Sequence, residues 1–239
     1  MNNLITLKLN KNNQKLHHIR SFMCRQGRLT KKQQFAIYYH WPEIGIGFKK
    51  ELINLVTLFK YDAPLIMEIG FGMGNSLVAM AKNNPHINFL GIEVYIPGIG
   101  ACLASAKEAG VKNLRMICYD AIEVLQEMIP DNTLFIVQLF FPDPWHKIRH
   151  NKRRILQLSF AQLVLKKLQI GGVFHIITDS RTYANHILKI INSIDCYINE
   201  LKIDGPYPLI LKTRPLTKFE KRASLLGNNI WELFFTRVT

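Results

Sequence analysis

From residue 64 onward the chain alternates continuous apolar runs with stretches whose apolar side chains recur every three or four positions. LIMEIG (65–70), INFLGIEV (87–94), NLRMICY (113–119), LFIVQLFF (134–141) and VFHIITD (173–179) have strand length and almost no polar side chains. Between and after them lie NSLVAMAK, PGIGACLASAKEAG, AIEVLQEMI, KRRILQLSFAQLVLKKLQ and TYANHILKIINSI, all with helical spacing. A weaker pair of strands, CYINELKI and WELFFTRV, closes the chain. Strands that are apolar on both faces and separated by helices predict a mostly parallel sheet covered on both sides, an α/β fold.

Punctuation refines this pattern. Gly110 is placed to close the second of these helices, Asp120 to cap the third, and Gly171-Gly172 to end the long helix that starts near Lys152. Ahead of the first strand, Thr30 and Gln33 have capping-box spacing, which predicts a short helix from Gln34 to Tyr39 ended by Trp41-Pro42. Phe48, Leu52, Leu55, Val56 and Phe59 recur at helical spacing and predict an amphipathic helix before the Asp62-Ala63-Pro64 break. Residues 1–28 are rich in Asn, Lys and Arg without a sustained period and read as a basic arm, leaving 29–239 as one domain without internal repeats.

Charge changes the picture from fold to partner. With 31 Lys and Arg against 17 Asp and Glu, the chain of 239 residues carries a formal net charge of +14, which points to a polyanion. Apolar runs such as LFIVQLFF fall well short of the roughly 20 residues that cross a bilayer, and the N-terminus has no apolar signal core. The expected compartment is therefore the cytoplasm. Cys24, Cys102, Cys118 and Cys196 form no C-x-x-C pair, so neither a metal site nor a redox site is expected.

The candidate chemistry collects where the strands end. Glu68, Glu93, Asp120 and Asp143 all fall at or near the carboxyl ends of predicted strands, the edge at which such sheets bind ligands. The first strand runs into Gly70-Phe71-Gly72-Met73-Gly74, a G-x-G-x-G turn rather than the G-x-G-x-x-G of dinucleotide sites. Acids suit a ligand bearing a sulfonium and an ammonium and would repel a pyrophosphate. S-adenosylmethionine fits: Glu93 for its ribose hydroxyls, Asp120 for its adenine amino group, Glu68 near its amino-acid end. The fourth strand ends in Pro142-Asp143-Pro144-Trp145, followed by the cations Lys147, Arg149, Lys152, Arg153 and Arg154. Those cations read either as phosphate contacts or as a solvated first turn of the next helix, where they would oppose the helix dipole. Trp145 reads equally as a base-stacking ring or as core, and His146 and His150 as ordinary polar or phosphate contacts.

EIGFGMGNSLVAMAK, FLGIEVYIPGIGACLASA, VQLFFPDPWHKIRHNKRRI, GGVFHIITD and TRPLTKFEKR, together with RQGRLTKKQQ, resemble the successive motifs of bacterial tRNA (guanine-N7)-methyltransferases from about residue 20 to the end. The resemblance implies a seven-stranded Rossmann-like class I methyltransferase fold, S-adenosylmethionine as donor with S-adenosylhomocysteine as product, and a guanine in the tRNA variable loop as target. By motif position it implies that Glu68, Gly70, Gly72, Gly74, Glu93, Asp120 and Asp143 bind the cofactor and that Asp143 is the catalytic acid. Lys147, Asp179, Thr217, Lys218, Phe219 and Glu220 become substrate contacts, and Arg149, His150, Asn151, Lys152, Arg153 and Arg154 the RNA-binding segment. The implied partner is tRNA rather than DNA or a membrane, with monomer and homodimer both open. One departure stands out: Asp179 is followed by Ser180 and Arg181 where the family's pattern often has an aromatic residue, and Tyr183 is the nearest substitute ring. Thr217 and Glu220 also have capping-box spacing, a role compatible with gripping a ligand. The rival readings are an amino-group methyltransferase of adenine or cytosine and a non-catalytic RNA-binding protein. The glycine spacing disfavours an NAD-dependent dehydrogenase.

Overall fold

The computed structural model describes residues 21–22, 27–199 and 214–239. The basic arm expected over 1–28 lies largely outside them. Apolar β2 (Leu65–Ile69), β3 (Asn88–Ile92), β4 (Leu114–Ile117), β5 (Leu134–Phe140) and β6 (Leu168–Thr178) lie parallel in one sheet. β8 (Trp231–Arg237) runs antiparallel to β6, and β7 (Tyr197–Ile198) antiparallel to β8. The expected strands are present, the one read over CYINELKI only as the two residues of β7, its residues 200–203 lying outside those described. An eighth, the two-residue β1 (Gly45–Ile46), joins β4 at the edge, giving the order β1-β4-β3-β2-β5-β6-β8-β7.

The period-two pattern of β2 divides its side chains between two cores. Leu65, Met67 and Ile69 face α5 (Ala121–Glu127), α6 (Leu158–Lys167) and α7 (Arg181–Ile191). Ile66 faces α1 (Lys31–Ile44), α3 (Asn75–Asn83) and α4 (Ile96–Glu108). Because β2, β3, β4, β5 and β6 are parallel, their carboxyl ends share one edge, and the chain direction across the sheet reverses between β2 and β5. Among the described residues no helix is long and apolar enough to cross a membrane.

Three expectations about helices are corrected. α1 runs through Trp41-Pro42 to Ile44, because Trp41 and Ile44 are buried against the core while the carbonyl that Pro42 leaves without a donor belongs to the exposed Tyr38. The helix expected over 48–60 shrinks to the five residues of α2 (Leu55–Phe59), capped by Asn54, and Phe48 instead stacks on Tyr119 with ring centroids 3.8 Å apart. The long helix expected from Lys152 is split into a 3-10 turn (Ile148–Arg153), an irregular linker and α6. Gly171-Gly172 belong to β6 rather than to a helix cap. Pairing jumps from Leu134↔Leu168 to Ile136↔Val173, so the glycines sit in the bulge between. Gly171 has φ +79°, and a Cβ on Gly172 would lie 2.8–3.1 Å from three backbone oxygens. In contrast, the expected helix starts at Asn75 and after Asp120 and both capping boxes are as read.

Asn113 ties the second layer together. Its buried amide nitrogen donates to the carbonyls of Ala81, Asn84 and Ile87 at 3.0, 3.0 and 2.7 Å, joining the end of α3 to the starts of β3 and β4. Asn113→Ala leaves two buried carbonyls and the half-buried one of Asn84 without that donor. It should lower stability by about 3 kcal/mol, read as a shifted urea midpoint at unchanged slope; a loss below about 1 kcal/mol contradicts the knot.

Candidate active site

The glycine turn after β2 needs positive φ at three places, and glycine supplies it: Gly70 +75°, Gly72 +59° and Gly74 +75°. Hydrogens are required as well as φ. A Cβ on Gly74 would collide with Cys102 of α4, whereas Cβ atoms on Gly70 or Gly72 would meet nothing within 4 Å among the described residues. Those residues leave the first two glycines uncovered, as a cradle for a ligand would be.

Glu68 and Glu93 frame this turn. Glu68 is 3% exposed, and its Oε2 has no hydrogen-bond partner among the described residues. Burial, opposed by the charge of Arg214 and assisted by that of Glu93, pushes its carboxyl up to about 8. Glu93 lies just past β3 and accepts from the backbone N–H groups of Gly72 (2.7 Å), Val94 (2.7 Å) and Tyr95 (3.0 Å). Its carboxyl is nevertheless raised, because burial outweighs those donors. Asp120 stands beyond β4 and caps α5, its Oδ1 accepting from the Ile122 N–H at 2.9 Å. These three acids, all expected at or near strand ends, lie at or just past the ends of three adjacent strands of the sheet.

Asp143 is exposed on the loop after β5, between two residues that adopt left-handed backbone, Phe141 at φ +50° and Trp145 at φ +46°. Each costs roughly 1–2 kcal/mol in a side chain with a Cβ, so the loop must be held. The Phe141 N–H donates to the Ile177 carbonyl at 2.7 Å, and its ring stacks on Phe219 at 5.5 Å. Arg154 Nε donates to the Pro144 carbonyl at 2.8 Å while its guanidinium lies 4.9 Å from the centroid of Tyr183. Trp145 is half-buried, so it is not part of the core. Arg153 lies over its ring at 4.4 Å and His150 meets it edge-on at 5.8 Å, so the indole anchors the cationic turn.

The cations do not form the first turn of a helix after Asp143, as one reading had it; they occupy the separate 3-10 turn and its flanks. Lys147, Arg149 and Lys152 are exposed. Arg153 and His150 are half-buried beside Trp145, and partial desolvation together with the neighbouring cations holds the His150 imidazole below its ordinary range. Asn151 lends its carbonyl to the Arg154 N–H and to Gln157. Arg154 is 6% exposed, so it holds the loop from inside rather than facing solvent.

The segment around α8 (Lys218–Leu225) closes over the sheet. Thr217 and Glu220 form the capping box: Glu220 Oε2 accepts from the Thr217 N–H at 2.6 Å, and Thr217 Oγ1 from the Glu220 N–H at 3.1 Å. Sequence reasoning missed the partner that dominates here. Arg214 grips both oxygens of Glu220 (2.8 and 2.5 Å) and reaches Glu232 at 3.1 Å, with its guanidinium 4.9 Å from the Phe140 ring centroid. Arg214 and Glu220 side chains are each 5% exposed. Burial works against the Glu220 carboxylate, yet Arg214 and Thr217 hold it below its ordinary range. Glu232 also bonds His175 at 2.9 Å, and His175, Gln138 and Glu68 sit in register on β6, β5 and β2. Each of the three keeps one buried polar atom without a partner among the described residues. Beside Glu68, a Gln and a His inside apolar strands were the signal of this polar row in the sequence.

Lys218 and Phe219 are exposed beside Phe141, and Asp179 is exposed at the end of β6. Ser180 caps α7 by accepting from the Tyr183 N–H. Tyr183 cannot replace a missing surface ring: it is fully buried beneath Arg154 and its hydroxyl accepts from the Leu156 N–H.

Residues 62–233 match a family described as "Putative methyltransferase". Over 237 residues the chain is 56% identical to the tRNA (guanine-N(7)-)-methyltransferases of Cronobacter sakazakii and Salmonella typhimurium, covering 99% of this chain and of each relative. The Photorhabdus laumondii protein of the same name is 53% identical over 238 residues, covering 100% of this chain and 99% of its own. Among solved structures, the 16S rRNA methyltransferase KamB superposes with TM-score 0.52 at 12% identity, over 79% of this chain and 95% of its own. The aminoglycoside resistance methyltransferase NpmB1 gives 0.51 at 13% over the same shares; these likenesses concern the fold. Near-complete coverage at more than half identity leaves one assignment: the chain belongs to the tRNA (guanine-N(7)-)-methyltransferase family.

Proposed function

We propose that this chain transfers the methyl group of S-adenosylmethionine to N7 of a guanine in the variable loop of tRNA, leaving S-adenosylhomocysteine, in the bacterial cytoplasm. The observation that carries this reading is the buried carboxyl oxygen of Glu68, without a partner among the described residues, beside a glycine turn that those residues leave uncovered. A cationic amino-acid moiety is the ligand such an oxygen lacks. Glu93, already fixed by three backbone donors, retains lone pairs for the ribose hydroxyls, and the second oxygen of Asp120 accepts from the adenine amino group in this reading. Gly70, Gly72 and Gly74 let the backbone approach the ligand. When bound, S-adenosylmethionine supplies an electrophilic methyl on a sulfonium.

Guanine N7 carries an in-plane lone pair and has no proton to lose, so the chain's residues need to align and to place charge rather than to act as a base. Asp143, presented rigidly between its two prolines, accepts from the polar edge of the guanine or from the cofactor and stabilises the positive charge that grows on the base. Thr217 keeps its hydroxyl proton for the substrate, because its oxygen is the acceptor of the helix cap. Glu220, with both oxygens engaged, acts by setting the start of α8, while Phe219 and Lys218 stand at the mouth and Asp179 at the neighbouring strand end. Lys147, Arg149 and Lys152 take phosphates, with Arg153 and His150 behind them and Asn151 and Arg154 shaping the turn. Monomer and homodimer both accommodate this reading.

Three measurements test it. Incubation with labelled S-adenosylmethionine and unmodified tRNA, followed by nucleoside analysis, should yield N7-methylguanosine and no N6-methyladenosine. Asp143→Ala should lower kcat by about a hundredfold or more with tRNA affinity retained; turnover near wild type removes Asp143 from the chemistry. Glu68→Gln tests the buried acid through pH. The folded Glu68 carboxyl is raised from 4.5 to about 8, so its contribution to stability is present below the unfolded value and is lost as pH rises to about 8. The variant escapes that loss. Without cofactor, its Tm relative to wild type should therefore climb by several degrees between about pH 5 and pH 8, while its affinity for S-adenosylmethionine falls; parallel Tm profiles contradict the raised acid.

A further inference from the structure

The outward face of α1 takes no part in the site described above. Phe35, Tyr38 and Tyr39 are 57%, 59% and 58% exposed. Their rings touch one another: Phe35 and Tyr39 centroids lie 4.4 Å apart, Tyr38 and Tyr39 4.8 Å apart, and His40 is 6.1 Å from Phe35. Lys31 and Phe35 are one turn apart, and Tyr38 and Tyr39 follow a turn later, so all four share one side of the helix. Scattered exposed apolar residues need no explanation, whereas a contiguous cluster of three rings held in solvent marks a surface that meets something.

Charge identifies the kind of partner. The first 42 residues of the sequence contain eight Lys or Arg and no Asp or Glu. The first acid, Glu43, is tied to Lys107 at 3.1 Å, while Arg28 and Lys31 at the start of α1 are exposed. Rings flanked by cations fit a polyanion that also offers flat π faces, which is a run of unpaired nucleotides. A second copy of this chain, with its own charge of +14, would meet this cationic face with like charge.

The helix is also built onto the site. Gln33 Nε2 donates to the Pro97 carbonyl at 3.0 Å, at the start of α4. A Cβ on Gly27 would lie 2.9 Å from the Tyr95 hydroxyl, two residues beyond Glu93. The platform thus begins beside the strand-end edge.

We propose that the outer face of α1 docks unpaired nucleotides of the RNA substrate, stacked on Phe35, Tyr38 and Tyr39, with phosphates held by Arg28 and Lys31. This rests on the reading of the substrate as tRNA. The test compares the full-length chain with the double variant F35L/Y39L on unmodified tRNA transcript and labelled S-adenosylmethionine. The variant's KM for tRNA should rise about tenfold or more, with the KM for S-adenosylmethionine and the Tm unchanged. F35L/Y39F, which returns one ring, should recover part of the loss, and V56A, on the similarly exposed α2, should behave as wild type. Ultraviolet crosslinking should attach nucleotides to the peptide containing Tyr38 and Tyr39. An unchanged tRNA KM in F35L/Y39L overturns the proposal. So does a wild-type dimer in sedimentation that F35L/Y39L dissociates without changing that KM, which would assign the face to a second copy. Failure of the functional reading is separate: wild type would then form no N7-methylguanosine, while fluorescence anisotropy of labelled tRNA would still report whether the α1 variant binds more weakly.

Discussion

The parallel pairing of β2 with β5 is the constraint on which the site depends. At that pair the connections diverge, because the chain proceeds outward through β3 and β4 on one side and through β6 on the other. Sheets of this kind bind ligands where the connections so diverge, and the glycine turn and the Asp143 loop are the two segments that leave the carboxyl ends of β2 and β5. Pairing Glu68 with Gln138 and Gln138 with His175 sets one row of polar side chains across the sheet below them. A slip of one residue would turn this row to the opposite face and bury carboxylate, amide and imidazole against α5 and α6. The apolar neighbours of these residues therefore specify the site as strictly as the polar residues do.

The parts legible in the sequence were those governed by local rules. Continuous apolar runs marked the strands, glycines marked the turn after β2, and Asp120, Thr30 and Thr217 marked helix starts through the geometry of capping. The acids at strand ends could be placed because a strand of known phase ends at a known residue. The helix errors share another cause. Trp41 and Ile44 extend α1 past Pro42 because tertiary burial offsets a local penalty, and the period of Phe48, Leu52 and Leu55 is broken because Phe48 finds Tyr119, a residue more than seventy positions away. Gly171-Gly172 carried a real signal of unusual backbone, but a strand bulge and a helix cap draw on the same property of glycine.

The site's polar interior was hidden for a similar reason. Arg214 stands in a stretch that reads as a basic, proline-broken loop, yet its guanidinium is almost wholly enclosed by Glu220, Glu232 and the Phe140 ring. An ion pair so enclosed is costly to desolvate and contributes definition more readily than stability. It fixes where α8 begins, and with it the positions of Thr217 and Phe219. Arg154 does the same for the Asp143 loop from below, gripping the Pro144 carbonyl over the Tyr183 ring. Two arginines from basic stretches thus act as internal struts, and the formal charge overstates the cations available to a polyanion.

Gly98 has a role that extends beyond the turn it touches. A side chain there would collide with the carbonyl of Gly72, so the first turn of α4 rests directly on the glycine turn, backbone on backbone. Gly100, one step further along, leaves room in the same way for Gln33 of α1. Backbone atoms make the tightest of these contacts, the Gln33 side chain is itself tied to the Pro97 carbonyl, and close-packed matter transmits strain rather than dissipating it. The turn, α4 and α1 therefore behave mechanically as one laminate, in which a change at the inner ply registers at the outer one.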